Sequence, residues 1–517
     1  MKESTLKPMT WQPIRLIRYA GMSMILALAG LITMACGDPW DFRDALDLIV
    51  AMDGYGGSFA RLYSTPTDDQ FNDVTIHEDV LVVVGSTFGE DSLDAVILRL
   101  RNDGSVVNQQ RYTQGVPGVD EVFSTMDVAY RGGTDDLIIV GGYRDESDKT
   151  EGMLLQFQTT GQGTALVAGT TIETQHITTP ANDADDEITG VAAGAAGAMA
   201  VGIAAPPSAD RYGIYAHVGY ENGVADYVKL VSAGIDLVFN DVATSDGDTY
   251  VAVGGVNGTT GDIVVAAIDG ASGNIMPTGT ASDATATIID VNGGADLANA
   301  IGAMSDPGRF VIVGSTNTYF GGKDAWLIIV LSWDDGSELF ALEAAYAVQL
   351  SEESGAAHAV YGVDDDDSFN YWGETDLFAV TGDRHASILM DATGEVIWAV
   401  APGDTTRVLN GHASAIWPFN NTFGGFVVVG TNNQLGTDPR GTDGTILWAL
   451  PDSGTSYPET SSTERDESDM VRDVTADVTL TPTIVQVTTT AGSLLAVSSE
   501  ITSFPNGAVE SLEILAQ

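Results

Sequence analysis

The chain has 517 residues, 44% of them apolar, with 59 glycines and 17 prolines. That apolar share is ample for a core and excludes global disorder, and so much glycine suits short strands and tight turns better than long helices. The net charge of −51, from 72 acidic and 21 basic residues, repels nucleic acid and anionic lipid headgroups, so both are excluded as direct partners; it suits a solvated acidic surface that can meet cations or basic groups.

The N-terminal segment carries Lys2, Lys7, Arg15 and Arg18, then the uncharged run MSMILALAGLITMA over residues 22–35. That run is too short to cross a bilayer and has the length of the apolar part of an export signal. It ends at Ala35-Cys36-Gly37, and Cys36 is the single cysteine of the chain. One cysteine rules out an internal disulfide and a cysteine-based zinc site. The stretch LITMAC resembles the lipobox of bacterial lipoproteins, with Thr33 where that family prefers Leu. The resemblance implies cleavage before Cys36, a diacylglyceryl group on its thiol and a membrane anchor. Gly37 rather than Asp after the cysteine implies the outer membrane. Residues 1–35 then form the removed signal, 36–43 a lipidated tether and 44–517 the folded domain. Without residues 1–35 there remain 17 of the 21 basic and 71 of the 72 acidic residues, a net charge of −54.

Beyond the tether a phrase recurs. An apolar run ends at or near glycine in LVVVGS, LIIVGG, AMAVGI, VAVGGV, FVIVGS, FAVTGD and FVVVGT, at Gly85, Gly141, Gly202, Gly254, Gly314, Gly382 and Gly430. Upstream of most copies lies a motif such as FNDVTI (Phe71), FNDVAT (Phe239), LANAIG (Leu297) or VRDVTA (Val471). Downstream come a polar loop, a third apolar run such as DAVILRL or DAWLIIV, a glycine turn and a more polar fourth strand. Four antiparallel strands repeating every ~50–60 residues predict an all-β fold, a single β-propeller of four-stranded blades. Middle strands apolar on both faces fit sheets covered on both sides. The terminal glycine fits a sharp turn or a close backbone approach. Residues 46–63 read as the last two strands of a unit and 471–490 as its first two, so the termini together close the ring. Eight blades are preferred on this reading, with seven the alternative.

These units resemble the repeats of bacterial β-propeller families. The unit ILMDATGEVIWAVAPG, residues 388–403, resembles the quinoprotein-type repeat, a family that includes the eight-bladed lipoprotein of the outer-membrane barrel-assembly machinery. No adjacent cysteines are present to support a quinone site, and no nucleophile elbow, phosphate loop or metal-helix motif occurs. No cofactor is expected beyond calcium. The acid-rich stretches NDADDE (Asp183, Asp185, Asp186) and VDDDDSF (Asp364, Asp365, Asp366) offer the oxygens that calcium prefers.

Asp94, Asp262, Asp324 and Asp443 each stand at the start of a third strand. Their repetition suggests that they bond backbone N–H groups where a loop enters the strand, or line one mouth of a channel. The loops between second and third strands carry Tyr143, Arg144, Tyr319 and Phe320, expected to be exposed and available for contact. The expected protein is a monomeric, lipid-anchored, non-enzymatic scaffold that binds a protein or glycan in the bacterial envelope. The alternatives are an enzyme on the same scaffold acting on polysaccharide, and an envelope assembly factor.

Overall fold

A computed structural model describes residues 59–503 apart from connecting stretches, the longest of which are 178–184, 350–356, 363–376, 401–408, 433–442 and 450–470; residues 1–58 and 504–517 lie outside the description. The expected cleavage and lipidation at Cys36 fall outside it too.

The described residues form seven separate antiparallel sheets and, apart from one 3₁₀ turn at Thr475–Asp477, no helix. Sheet I holds Asp69–His77, Val80–Phe88, Leu93–Leu100 and Val106–Thr113 in that spatial order. Sheets II to VI repeat the order through residues 120–177, 185–232, 236–291, 296–348 and 357–400. Sheet VII has three strands from residues 409–449, and Phe59–Tyr63 pairs with Asp443–Ala449 as its fourth. The N-terminal strand therefore completes the sheet of residues 409–449, rather than sharing a sheet with residues 471–490 as the sequence reading expected.

The second and third strands are buried along nearly their whole length, as in Val80–Phe88 and Ala325–Asp334. Apolar clusters form between consecutive sheets: I with II, II with III, III with IV, IV with V, and V with VI. Both faces of each middle sheet are thus covered, which is why its inner strands carry no alternation. The first strand of each sheet packs against the first strand of the next, and that of sheet VII packs against that of sheet I.

The C-terminal segment departs from the expectation. Residues 471–490 do not start an eighth sheet; among the described residues there are seven. Instead Val471–Asp473 pairs with the outer strand of sheet V, Val478–Ile484 with that of sheet IV, and Gln486–Thr489 with that of sheet III. Leu495–Val497 and Glu500–Ser503 do the same on sheets II and I. The tail is a belt that visits five sheets in the reverse of chain order. The sequence explains this placement: VTLTPTI alternates apolar and polar residues, so it can bury one face only, and Pro482 lacks an N–H, which suits an edge strand. Between its strands the belt drops Val474 and Val485 into the core. The motif VRDVTA misled because its Asp473 serves a local turn, accepting the Thr475 N–H at 2.9 Å.

Every first strand carries a one-residue bulge, at Asn72, Ser124, Thr189, Asn240, Asn299, His358 and His412. A bulge redirects a side chain out of the pleat. Here it aims at the next sheet: Asn72 donates to the Phe123 carbonyl at 2.8 Å, Thr189 to Phe239 at 2.8 Å, Asn240 to Ala298 at 2.6 Å and Asn299 to Ala357 at 2.7 Å. Each acceptor is the residue just before the next bulge.

Opposite that acceptor, on the second strand, stands the repeat glycine: Gly85 faces Phe71, Gly254 faces Phe239 and Gly314 faces Ala298. A Cβ at Gly85, Gly254 or Gly314 would overlap the carbonyl oxygen of Gln70, Val238 or Leu297. Close approach, not a turn, fixes these glycines. In sheet II the glycine in this place is Gly142 rather than Gly141, because Gly142 pairs with Phe123 and would meet the Val122 carbonyl.

Three buried-side carboxylates add a second set of ties. Asp73 Oδ2 accepts the Met126 N–H at 2.7 Å, Asp127 Oδ2 the Ala193 N–H at 2.7 Å, and Asp241 Oδ2 the Ile301 N–H at 2.9 Å. Each also accepts the N–H of its own following residue. Burial lifts Asp73 to about 7, Asp127 to about 6 and Asp241 to about 8, with the repulsion of Asp73 and Asp127 adding to that of Asp241.

Two expectations follow. Gly314→Ala should destabilise the protein by about 1–3 kcal/mol in urea unfolding through overpacking against backbone, whereas Gly234→Ala, which has open space around it but a positive φ, should cost about 1–2 kcal/mol through the left-handed backbone alone. The three aspartates hold protons more tightly folded than unfolded, so the stability they contribute is full below about pH 4 and is lost as pH rises through about 6 to 8. Asp241→Asn should therefore flatten the fall in urea midpoint between pH 5 and 8; an unchanged slope would contradict this assignment.

Candidate binding face

Register brings four strand ends together in each sheet. In sheet I, Asp69 lies opposite Thr87, and Thr87 opposite Asp94. The start of the first strand, the end of the second, the start of the third and the end of the fourth thus share one end of the sheet. The loops between second and third strands leave from here, as the sequence required of a contact surface.

Carboxylates crowd this end, and most are occupied by neighbours. Buried Asp94 is ion-paired with Arg111 of the adjacent strand. Asp69 accepts the Thr87 hydroxyl. Asp120 of sheet II accepts the Leu93 N–H of sheet I at 2.7 Å. Asp185 of sheet III accepts the Thr150 N–H of sheet II at 3.1 Å, and Asp236 of sheet IV the Arg211 N–H of sheet III at 2.7 Å. The Arg211 side chain also reaches Asp236, at 3.4 Å.

The task foreseen for the third-strand aspartates therefore belongs to the aspartate that opens the next first strand. It secures the backbone where the preceding sheet's third strand begins. A recurring Asp four residues before the bulge, in DEVFS, DDEIT and DLVFN, is the sequence sign of it. Asp262 is half-buried at the start of its strand, and Asp324 is exposed just before Ala325–Asp334. Asp443 opens its strand, but its side chain lies outside the described residues.

The four proposed contact residues divide. Tyr319 is buried, 4% exposed, and not a surface contact. Its hydroxyl donates to Asp477 Oδ2 at 2.8 Å, and Arg472 lies 4.8 Å from its ring centre. Both partners belong to the belt, so this loop residue fastens the C-terminal segment. Phe320 has a left-handed φ of 53° and packs, half-buried, on the core between sheets IV and V. Arg144 is also buried, with Nη1 3.9 Å from Glu151. Tyr143 is half-buried within the second strand of sheet II; burial and the nearby Glu187, Asp120 and Asp145 carboxylates raise its phenol.

The calcium expectation divides as well. Asp183, Asp364, Asp365 and Asp366 lie outside the described residues. Asp185 is exposed and holds Thr150, while Asp186 is buried at 1%. A different trio comes together at the junction of sheets IV and V: Asp262, Asp290 and Asp296 each place a carboxylate oxygen within 4.8 Å of the others. Burial raises Asp296 to about 6, opposed by hydrogen bonds from Thr316 and the Val291 N–H, with Asp290 and Asp262 adding repulsion. Asp262 is raised too, by burial and by Asp290.

No protein-family model matches the sequence, and no curated protein does either. Among solved structures the chain is similar to the tail fiber of Staphylococcus aureus phage P68, at 8% identity over 76% of this chain and 98% of that one, with a TM-score of 0.17. So low a score carries no argument about fold or function.

Because Asp94 is buried, Arg111→Met should strand its charge and cost about 3 kcal/mol in urea unfolding. Asp94→Asn combined with Arg111→Met should recover part of that loss, which a double-mutant cycle measures.

Proposed function

We propose that the seven sheets are the blades of one closed β-propeller, and that it serves as a non-enzymatic binding scaffold. The propeller reading is supported by the cycle of first-strand contacts from sheet I to VII and back, by apolar clusters shared between consecutive sheets, and by Phe59–Tyr63 completing sheet VII. A ring closed by strands from both ends of a sequence has no free radial edge at its seam.

The observation that carries the binding role is the acidic end of the sheets. Its described carboxylates are mostly engaged with backbone N–H groups, hydroxyls and arginines. Engagement of that kind fixes loops in place and keeps a negative field, which suits a rigid surface for cationic groups on a protein or glycan. Acid–base catalysis instead calls for a carboxylate pair set at a working separation around a substrate bond. The cysteine at the end of LITMAC supports attachment of the scaffold to a bacterial membrane, the outer membrane by its Gly37.

Two measurements test this. The full-length protein should fractionate with membranes and Cys36→Ser should not; equal fractionation would end the lipid-anchor reading. Immobilised mature protein should retain partners from detergent-solubilised envelopes at low salt and release them at high salt. Asp324→Lys combined with Asp185→Lys should weaken that retention severalfold. Retention indifferent to both salt and charge reversal would overturn the acidic-face reading.

A further inference from the structure

We propose that Asp262, Asp290 and Asp296 form a site for a hard divalent cation of the calcium class, tying sheet IV to sheet V. Two observations carry it. The first is the grouping itself: oxygens of three carboxylates within 4.8 Å of one another, from the third and fourth strands of sheet IV and the first strand of sheet V. The second is the state of Asp296. The residue is 4% exposed. Its Oδ2 accepts the Val291 N–H at 2.7 Å and Thr316 also bonds the carboxylate, yet its Oδ1 is buried with no hydrogen-bond partner among the described residues. A buried, unpartnered carboxylate oxygen beside two further carboxylates is costly unless positive charge is supplied.

Comparison among the repeats strengthens the inference. At the junctions I–II, II–III and III–IV, an aspartate three places before the residue that pairs with the repeat glycine binds a backbone N–H of the preceding sheet. At IV–V that place is Ala295, so the tie is missing. In sheet I the third-strand Asp94 is neutralised by Arg111. In sheet IV the third-strand Asp262 meets Asp290 instead. Where other repeats use a carboxylate–amide tie or an arginine, this junction gathers three acids. An all-oxygen donor set with an excess of negative charge selects hard cations, and calcium tolerates the irregular geometry that magnesium does not. Water and backbone carbonyls would complete the shell.

The test uses the mature protein stripped with a chelator. Calorimetric titration with calcium chloride should show a saturable site, and magnesium chloride should bind more weakly. Asp262→Asn and Asp290→Asn, both at half-buried positions, should each lower calcium affinity at least tenfold. In the unaltered protein, calcium should slow amide hydrogen exchange in the segments around residues 261–263 and 290–297. The proposal is overturned if the unaltered protein has no saturable site, if either variant binds calcium as the unaltered protein does, or if calcium leaves exchange in those segments unchanged.

Discussion

The one-residue bulge in each first strand is the constraint on which the rest of the molecule depends. A regular strand would point every side chain up or down its own sheet. The bulge frees one residue to reach sideways, and in four described junctions that residue bonds the carbonyl next to the following bulge. The same geometry presses the preceding carbonyl against the second strand, which is why only glycine fits opposite. The repeated glycine, the repeated Asn or Thr and the close packing of first strands are three outcomes of one backbone feature.

The aspartates at Asp73, Asp127 and Asp241 extend this logic at an electrostatic cost. Each binds two backbone N–H groups, yet burial raises all three, and repulsion from neighbouring aspartates adds to it at Asp73 and Asp241. The ties that order the inner strands are thus strained by their own charge near neutral pH. A cation between sheets IV and V would relieve a comparable strain at the opposite location in the strand, where Asp296 is crowded by Asp262 and Asp290.

Much of the architecture is legible in the residues because burial imposes pattern. Runs such as LVVVG and WLIIVL lack alternation since both faces are covered, and glycine marks the place where backbone meets backbone. The belt was not legible. VRDVTA repeats the letters of a first strand, and only tertiary pairing distinguishes an edge strand from the start of a sheet. The site was read less well than the fold. Asp94 and Asp262 were picked out by their repetition, but whether a repeated acid meets an arginine or two more acids depends on strands far apart in sequence. Tyr319 looked like an exposed loop aromatic because the belt residues that cover it, Arg472 and Asp477, lie more than 150 residues downstream.

The reverse path of the belt also sets an order of events during synthesis. Sheet I can assemble its four strands as soon as residue 113 has emerged, but its outer edge waits for Glu500–Ser503. Sheet V, made later, is covered earlier by Val471–Asp473. The oldest sheet in the growing chain therefore keeps an open strand edge for longest, during the period when edge-to-edge association is most dangerous. Its outer strand carries Gln109, Gln110 and Arg111, polar residues that discourage such pairing until the last strand arrives.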